Sequence, residues 1–414
     1  MNQTKKVREP LFHLVKRTNL PKWLPWVVRA AAIVVAFLLI GILSLIAYGV
    51  NPISVYGYMF QGAFGTSYKV MRLLRDMAIL LIFALAVTPA FKMKFWNIGA
   101  EGQVLMGAFA CMVCIVNLGG KVNDTLLIFI CLAASLLGGA LWAVIPAIFK
   151  AKWNTNETLF TLMMNYVAIQ IILYAIKIWV PGGTGMMTPS AYANLPAIGG
   201  DHFWFSIIVA LVLTVVMFIY LKFTKHGYEI DVVGESENTA RYIGINVKKV
   251  VIRTLIVSGL LCGVAGFLLV SGINHTISST TAGGRGFTAI LVSWLAKFNP
   301  LFMILTSFLV VFLSKGTDEV MTMNGVTNSF FSQVVTGITF LLIIGCEFFI
   351  NYKIVFRHSN KDAAATPDKP SPVEEPKDPV TVTEGMLTKS IEEDEGEPPY
   401  VAKEPQAEPA AKED

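Results

Sequence analysis

The sequence predicts an all-α, polytopic integral membrane protein with about ten transmembrane helices, some of them broken or re-entrant. Three observations predict it. Hydrophobic residues make up 54% of the chain and charged residues only 15%, more apolar surface than one water-facing core can bury. Apolar runs of roughly 17–25 residues, long enough as helices to cross a hydrocarbon core of about 30 Å, recur almost to residue 352. Several of these runs are interrupted by Gly or Pro, and irregular backbone at membrane depth persists only where protein or a water-filled cavity satisfies it.

Taken in order, the runs lie near 26–49, 76–91, 100–117, 125–149, 158–180, 203–223, 252–272, 286–299, 300–316 and 330–352. An even number of crossings puts both termini on one side, and Lys and Arg choose the side. Lys5, Lys6, Arg8, Lys16, Arg17 and Lys22 precede the first run, Lys92, Lys94, Lys150 and Lys152 flank later loops, and six more crowd the 222–253 loop. These loops alternate so as to face the cytoplasm together with Lys353 and Arg357, whereas the opposite loop, 181–201, has no Lys or Arg. The expected location is the plasma membrane with both termini cytoplasmic. Lys69, Arg72 and Arg75 fall on the outer side and are read as an amphipathic helix along the interface.

Three runs are imperfect spans. Residues 76–91 contain Pro89, 286–299 is short and ends in Asn-Pro, and 99–103 opens with glycines. Transport proteins place such broken helices on the permeation path. Gly259 and Gly263 in "GLLCG" have the spacing of a close helix-packing contact.

Three domains follow: a basic N-terminal segment, 1–25; a transmembrane domain, 26–358, with a cytoplasmic loop at about 225–250; and an acidic tail, 359–414. Residues 361–414 carry 15 acidic and 6 basic residues, while 1–360 carry 13 acidic and 27 basic. The tail has too little apolar surface to offset chain entropy and is expected to be disordered. The basic excess sits in short loops and belongs to membrane orientation rather than to nucleic-acid binding.

Catalytic patterns are missing from the sequence. Gly119-Gly-Lys121 lacks the glycine spacing and the Ser/Thr of a phosphate loop, there is no HExxH, and the five histidines are scattered. Ser258-Gly259 lacks the strand-turn-helix setting of a nucleophile elbow. Cys111-Met-Val-Cys114 lies inside an apolar run, where thiols act as small hydrophobes. The chain is therefore expected not to be an enzyme.

Two polar stretches stand out against this background. In "FWNIGAEGQ" (95–103) a carboxylate, Glu101, is bracketed by glycines at the mouth of an apolar run. In the first turn of a helix beginning near residue 100, exposed amides and the helix dipole would offset part of its burial cost. The other stretch is "KHGYEIDVVGESENTARYIGINVKKVVIR" (225–253). Gly234 permits a turn, Ser236 can cap a short helix with Glu237 in its first turn, Gly244 can end it, and Asn246 can cap the next membrane helix.

The second stretch resembles the cytoplasmic coupling segment of ABC-transporter permeases of the branched-chain amino acid and ribose type. The residues that match are Val233-Gly-Glu235, Asn238 and Ala240-Arg-Tyr-Ile-Gly-Ile-Asn246, followed by "VSGLLCGVAGFLLVSG" at 257–272. "WNIGAEGQVLMGA" and the later "GGRGFTAILVSWLAKFNP" resemble the branch that carries nucleosides and related simple sugars. Ser236-Glu237 departs from the family's frequent Asn-Pro, and Lys297-Phe298 from its usual Gly-Arg or Gly-Lys.

The resemblance implies a type II-like importer permease without a bound cofactor of its own. Its expected partners are a homologous second permease, a cytoplasmic ATPase that uses the ATP, an extracytoplasmic substrate-binding lipoprotein and membrane lipid. Gly234, Glu235, Asn238, Ala240, Arg241, Tyr242, Gly244 and Ile245 would contact the ATPase, and the expected substrate is a nucleoside. A neutral, amphipathic substrate needs amide and hydroxyl groups beside aromatic walls, which Trp96, Asn97, Glu101, Gln103, Thr161 and Asn165 are expected to supply. The alternatives are ribose-like sugars or branched-chain amino acids and, more distantly, an ion-coupled secondary transporter. That last class would carry embedded ionisable residues, of which Glu101 and Glu347 are the candidates.

Overall fold

Capping chemistry sets the helix limits in the computed structural model, which describes residues 12–16, 21, 23–182, 185, 187, 191–196, 203–325 and 330–356. α1 (Leu24–Tyr48) stops at Gly49, which has a left-handed φ of 67°. Asn51 caps α2 (Pro52–Phe64), and Thr66 caps α3 (Ser67–Lys92). α4 spans Ala100–Leu118. α5 (Asp124–Trp153) carries Asp124 in its first turn and Lys150 and Lys152 in its last, the order that a helix dipole favours. α6 (Glu157–Trp179) is capped by Asn156, and α7 covers Phe203–Phe223.

Two short helices follow, α8 (Lys225–Glu235) and α9 (Glu237–Tyr242). α10 (Val247–Phe267) continues as a π-helical turn, Leu268–Asn274. The chain then forms α11 (Arg285–Leu295), α12 (Pro300–Met323) and α13 (Phe330–Asn351). Two short strands, β1 (Phe12–Lys16) and β2 (Tyr352–Phe356), pair with each other.

Each of the ten expected runs coincides with one helix. Six helices among the described residues are long and apolar enough to cross a membrane: α4, α5, α6, α7, α10 with its π-turn, and α12. α1, α3 and α13 have 25, 26 and 22 residues. α11 has 11 residues, about half a bilayer crossing at 1.5 Å per residue, so the short eighth run is a half-helix. The expected interfacial helix is corrected. Lys69, Arg72 and Arg75 lie on the first turns of α3 itself, which runs on without a break past Pro89. The separate short helix is α2, too short to register as a span in the sequence.

α3 is the central helix. Every residue from Ala78 to Phe91 is buried, with α7, α10, α11 and α12 packed around it. α5 crosses α10 at the small residues that the sequence singled out. A Cβ built on Gly263 would strike the backbone of Ser135 and Leu136, and one on Gly259 would meet Gly139 and Ala140. Without a hydrophobic drive between helices in lipid, such backbone approach supplies the packing energy. The π-turn frees carbonyls from the helical ladder, and the Leu195 N–H donates to the carbonyl of Ser271 at 3.0 Å.

The chain divides after Val355. The acidic tail, most of the N-terminal segment, parts of loop 181–201 and the side chain of Glu347 lie outside the described residues.

Candidate functional site

The backbone turns back on itself between α3 and α4, and a set of buried side chains satisfies it there. Lys94 has a φ of 60°, and the chain then re-enters the protein as Phe95–Gly99. Asn97 is wholly buried. Its Oδ1 accepts from Gly99 N–H and Gln103 Nε2, both at 3.1 Å, and its Nδ2 donates to Ser258 Oγ on α10 at 3.2 Å. From α6, Thr161 Oγ1 accepts from Ile98 N–H at 3.2 Å and donates to its own helix at Glu157 O. Asn165 accepts from Gly102 N–H at 2.8 Å and donates to Ile98 O at 2.9 Å. Side chains from α6 thus hold the Ile98 and Gly102 amides on either side of the α4 start, where the helix itself leaves amides unpaired.

Glu101 joins this junction to α11. Its two carboxylate oxygens accept from Gly284 N–H at 2.7 Å and Gly286 N–H at 2.8 Å. It therefore stands in the first turn of α4 and at the N-terminus of α11 at once, where both sets of unpaired amides favour an anion. A Cβ on Gly286 would fall on Glu101, so only glycine permits this approach. Asn97, Glu101, Gln103, Thr161 and Asn165 are brought together. Trp96 is not among them: it is 43% exposed, edge-on to Phe91 and Trp294 in a separate cavity.

Arg285, between the two amides held by Glu101, and Phe287, just beyond them, line a polar cavity of about 630 Å³ together with Asp76, Lys315, Gln333 and Phe340. Asp76 bridges two cations, Arg75 at 2.7 Å and Lys315 at 2.9 Å. Sequence reasoning missed this pair. The signal was an acid and a base, 239 residues apart, each where a charged helix end meets an apolar run, and membrane-embedded charges are paired or functional.

The second polar stretch forms a clamped projection. α8 is fastened to α3 by Lys92–Asp231 at 2.7 Å and to α10 by Arg253–Glu229 at 2.6 Å. Gly234 differs from expectation: it makes no turn but lies buried inside α8, where a Cβ would strike the carbonyl of Lys92. Ser236 caps α9 by accepting from Thr239 N–H, Gly244 ends it with a φ of 85°, and Asn246 caps α10. Ala240 is buried under α9, and Ile245 is half-buried. Glu235, Asn238 and Arg241 are exposed. Tyr242 is 93% and Ile243 51% exposed, an apolar tip on a rigid mount.

The lysine at 297 also has a structural meaning. Lys297 and Phe298 both have left-handed backbones, with φ of 51° and 57°, in the place where the resembling sequences carry glycine.

Residues 69–344 match the family described as the branched-chain amino acid transport system permease component. A glucose ABC transporter permease protein of Haloferax volcanii is 28% identical over 84% of this chain and 95% of its own length. A guanosine ABC transporter permease protein of Bacillus subtilis is 28% identical over 73% of this chain and 88% of its own. A nucleoside ABC transporter permease protein of Lactococcus lactis is 26% identical over 82% and 95%. A second permease protein from each of the latter two organisms aligns with about half of this chain. With two thirds of its length matched, the chain belongs to the branched-chain amino acid transport permease family, the multi-pass membrane subunits of ABC transporters.

Proposed function

We propose that this chain is the permease subunit of an importer that carries nucleosides across the plasma membrane. The observation that carries the coupling part of this reading is the exposed tip of α9, Tyr242 and Ile243, on a mount fastened by ion pairs to α3 and α10. A cleft in a separate cytoplasmic ATPase would grip this tip, and ATP would be bound and consumed there rather than on this chain. Closure of the ATPase would pull α8, and through it the central helix α3 whose cytoplasmic end feeds the junction at Asn97–Glu101. The gate would then move as one body, because α3 and the junction are both hydrogen-bonded to α11, while α10 packs against α3 and bonds the junction at Ser258.

The relatives named for guanosine and nucleosides support the substrate. The cavity suits it chemically: Phe287 and Phe340 offer faces for a base, and Gln333 and the flanking threonines offer hydrogen bonds to a sugar. In this proposal Asn97, Glu101, Gln103, Thr161 and Asn165 shape the wall of the passage, with their hydrogen bonds already taken. The Haloferax relative favours glucose as a second reading, since a polyol meets the same groups.

The paired permeases of the Bacillus and Lactococcus relatives support a homologous second permease as partner. An extracytoplasmic binding lipoprotein would deliver the substrate, and both termini would lie in the cytoplasm. The test is ATP-dependent uptake of labelled guanosine by the purified assembly in vesicles, with nucleosides, free bases, pentoses, glucose and leucine as competitors. Competition by nucleosides alone supports the proposal. Competition by glucose or leucine without nucleosides overturns it.

A further inference from the structure

Six non-glycine residues among the described ones have a positive φ, and three of them, Lys94, Lys297 and Phe298, line one cavity. The cavity holds about 380 Å³, and its remaining walls are Phe91, Trp96 and Trp294. Two helices build it in the same way. At the end of α3, Lys94 N–H donates to Phe91 O and Phe95 N–H to Ala90 O, both at 2.9 Å. At the end of α11, Lys297 N–H donates to Trp294 O and Phe298 N–H to Ser293 O, again both at 2.9 Å. This is the paired termination whose left-handed position ordinarily takes glycine, because a Cβ is strained there. A lysine at both positions places two ammonium groups at the rim of one aromatic pocket. Strain repeated at matching positions points to a use.

We propose that this cavity binds one anionic phospholipid. Its acyl chains lie against Phe91, Trp96, Trp294 and Phe298, and its phosphate is held by Lys94 and Lys297. Neither lysine has an ion-pair partner among the described residues, so two positive charges are unneutralised beside an apolar wall. Trp96 and Trp294 are 43% and 40% exposed, and tryptophan beside lysine is the composition of the headgroup layer. Lysine stems lie along apolar surface while their charges reach out. Lys92, at the same end of α3, pairs with Asp231 of α8, so the lipid would sit beside the mount of α9. The leaflet that faces the cytoplasm carries the anionic lipid. That agrees with the proposed cytoplasmic placement of α8, and the binding itself does not depend on which substrate is carried.

The test is native mass spectrometry of the full-length chain in its purified assembly, titrated with phosphatidylglycerol or phosphatidylcholine. The wild type should retain phosphatidylglycerol in preference. Lys94→Gln or Lys297→Gln should weaken that retention about fivefold and the double variant about thirtyfold, on roughly 1 kcal/mol per basic residue near an anionic headgroup. A Lys94→Arg, Lys297→Arg variant should keep it. Because Lys94→Gly and Lys297→Gly relieve the strained backbone, that pair serves as a folded control, and it should lose the lipid too. Equal retention of the two lipids, or unchanged retention in the double Gln variant, overturns the proposal. So does loss of a protein subunit in place of lipid, which would make the cavity a protein interface. Guanosine uptake is measured separately, so a failure of the lipid site leaves the transport reading standing or falling on its own result.

Discussion

Glu101 ties the start of α4 to the start of α11 through one side chain. Both of its oxygens are acceptors for amides of another helix, and glutamine can offer only one acceptor and sets an NH₂ against the second amide. Glu101→Gln should therefore leave one of the two amides without its acceptor and cost about 1 kcal/mol, or up to about 3 if the amide lost is the buried one of Gly286. A lower unfolding temperature in detergent with reduced uptake is the expected outcome, and normal values for both would return Glu101 to an incidental charge. Asp76 offers a second test at this scale. Lys315→Met leaves Asp76 still paired with Arg75, whereas Asp76→Asn leaves two half-buried cations without their shared anion. Breaking a fully buried pair costs about 3–5 kcal/mol, and the partial exposure of both cations lowers the cost here. Thermal unfolding should therefore show Asp76→Asn as the more damaging change, and the reverse order would mean that the network is not what holds α3 to α12.

At the level of elements, α9 separates stability from coupling. Tyr242 touches little of its own chain, so Tyr242→Ala should change stability by no more than about 0.5 kcal/mol. In the assembly it should nevertheless abolish substrate-stimulated ATP hydrolysis, if the tip is what the ATPase grips. Gly244→Pro is a stronger version. Its φ of 85° is closed to proline, which is fixed near −65°, so the turn between α9 and α10 must rebuild. Membrane insertion should survive, and uptake should be uncoupled from ATP hydrolysis; unchanged uptake in vesicles would remove α9 from the mechanism. The starts of α9 and α10 were legible in the sequence because Ser236 and Asn246 cap by local hydrogen bonds. Gly234 was misread as a turn because the close passage of Lys92 beside it, 142 residues away, leaves no mark in its neighbours.

For the whole molecule, the prediction concerns assembly. The tagged chain, solubilised gently, should bring with it an ATPase and a second permease, and recovery of the chain alone with ion-driven uptake would reverse the reading. The architecture supports this expectation physically. α3 is buried on all sides from Ala78 to Phe91, while α5, α6 and α7 show apolar faces outward, including Phe129, Leu141, Tyr166 and Val212. In a membrane these faces meet lipid or another helix bundle, and a second permease would cover part of them.

The sequence by itself determined the fold class, the ten runs that become helices, the close-packing glycines of α10, and the family. It could do so because hydrophobic length, caps and small-residue spacing act over a few residues, and the solvent that selects them is uniform. Only the tertiary structure decided what Glu101, Asp76, Gly234 and Lys94 do. Each answers to a partner more than 100 residues away: the amides of Gly284 and Gly286, the ammonium of Lys315, the carbonyl of Lys92, and the aromatic pocket shared with Lys297. Burial at membrane depth makes an unpaired polar group costly, so these partners exist, but their identity depends on which helices are brought together.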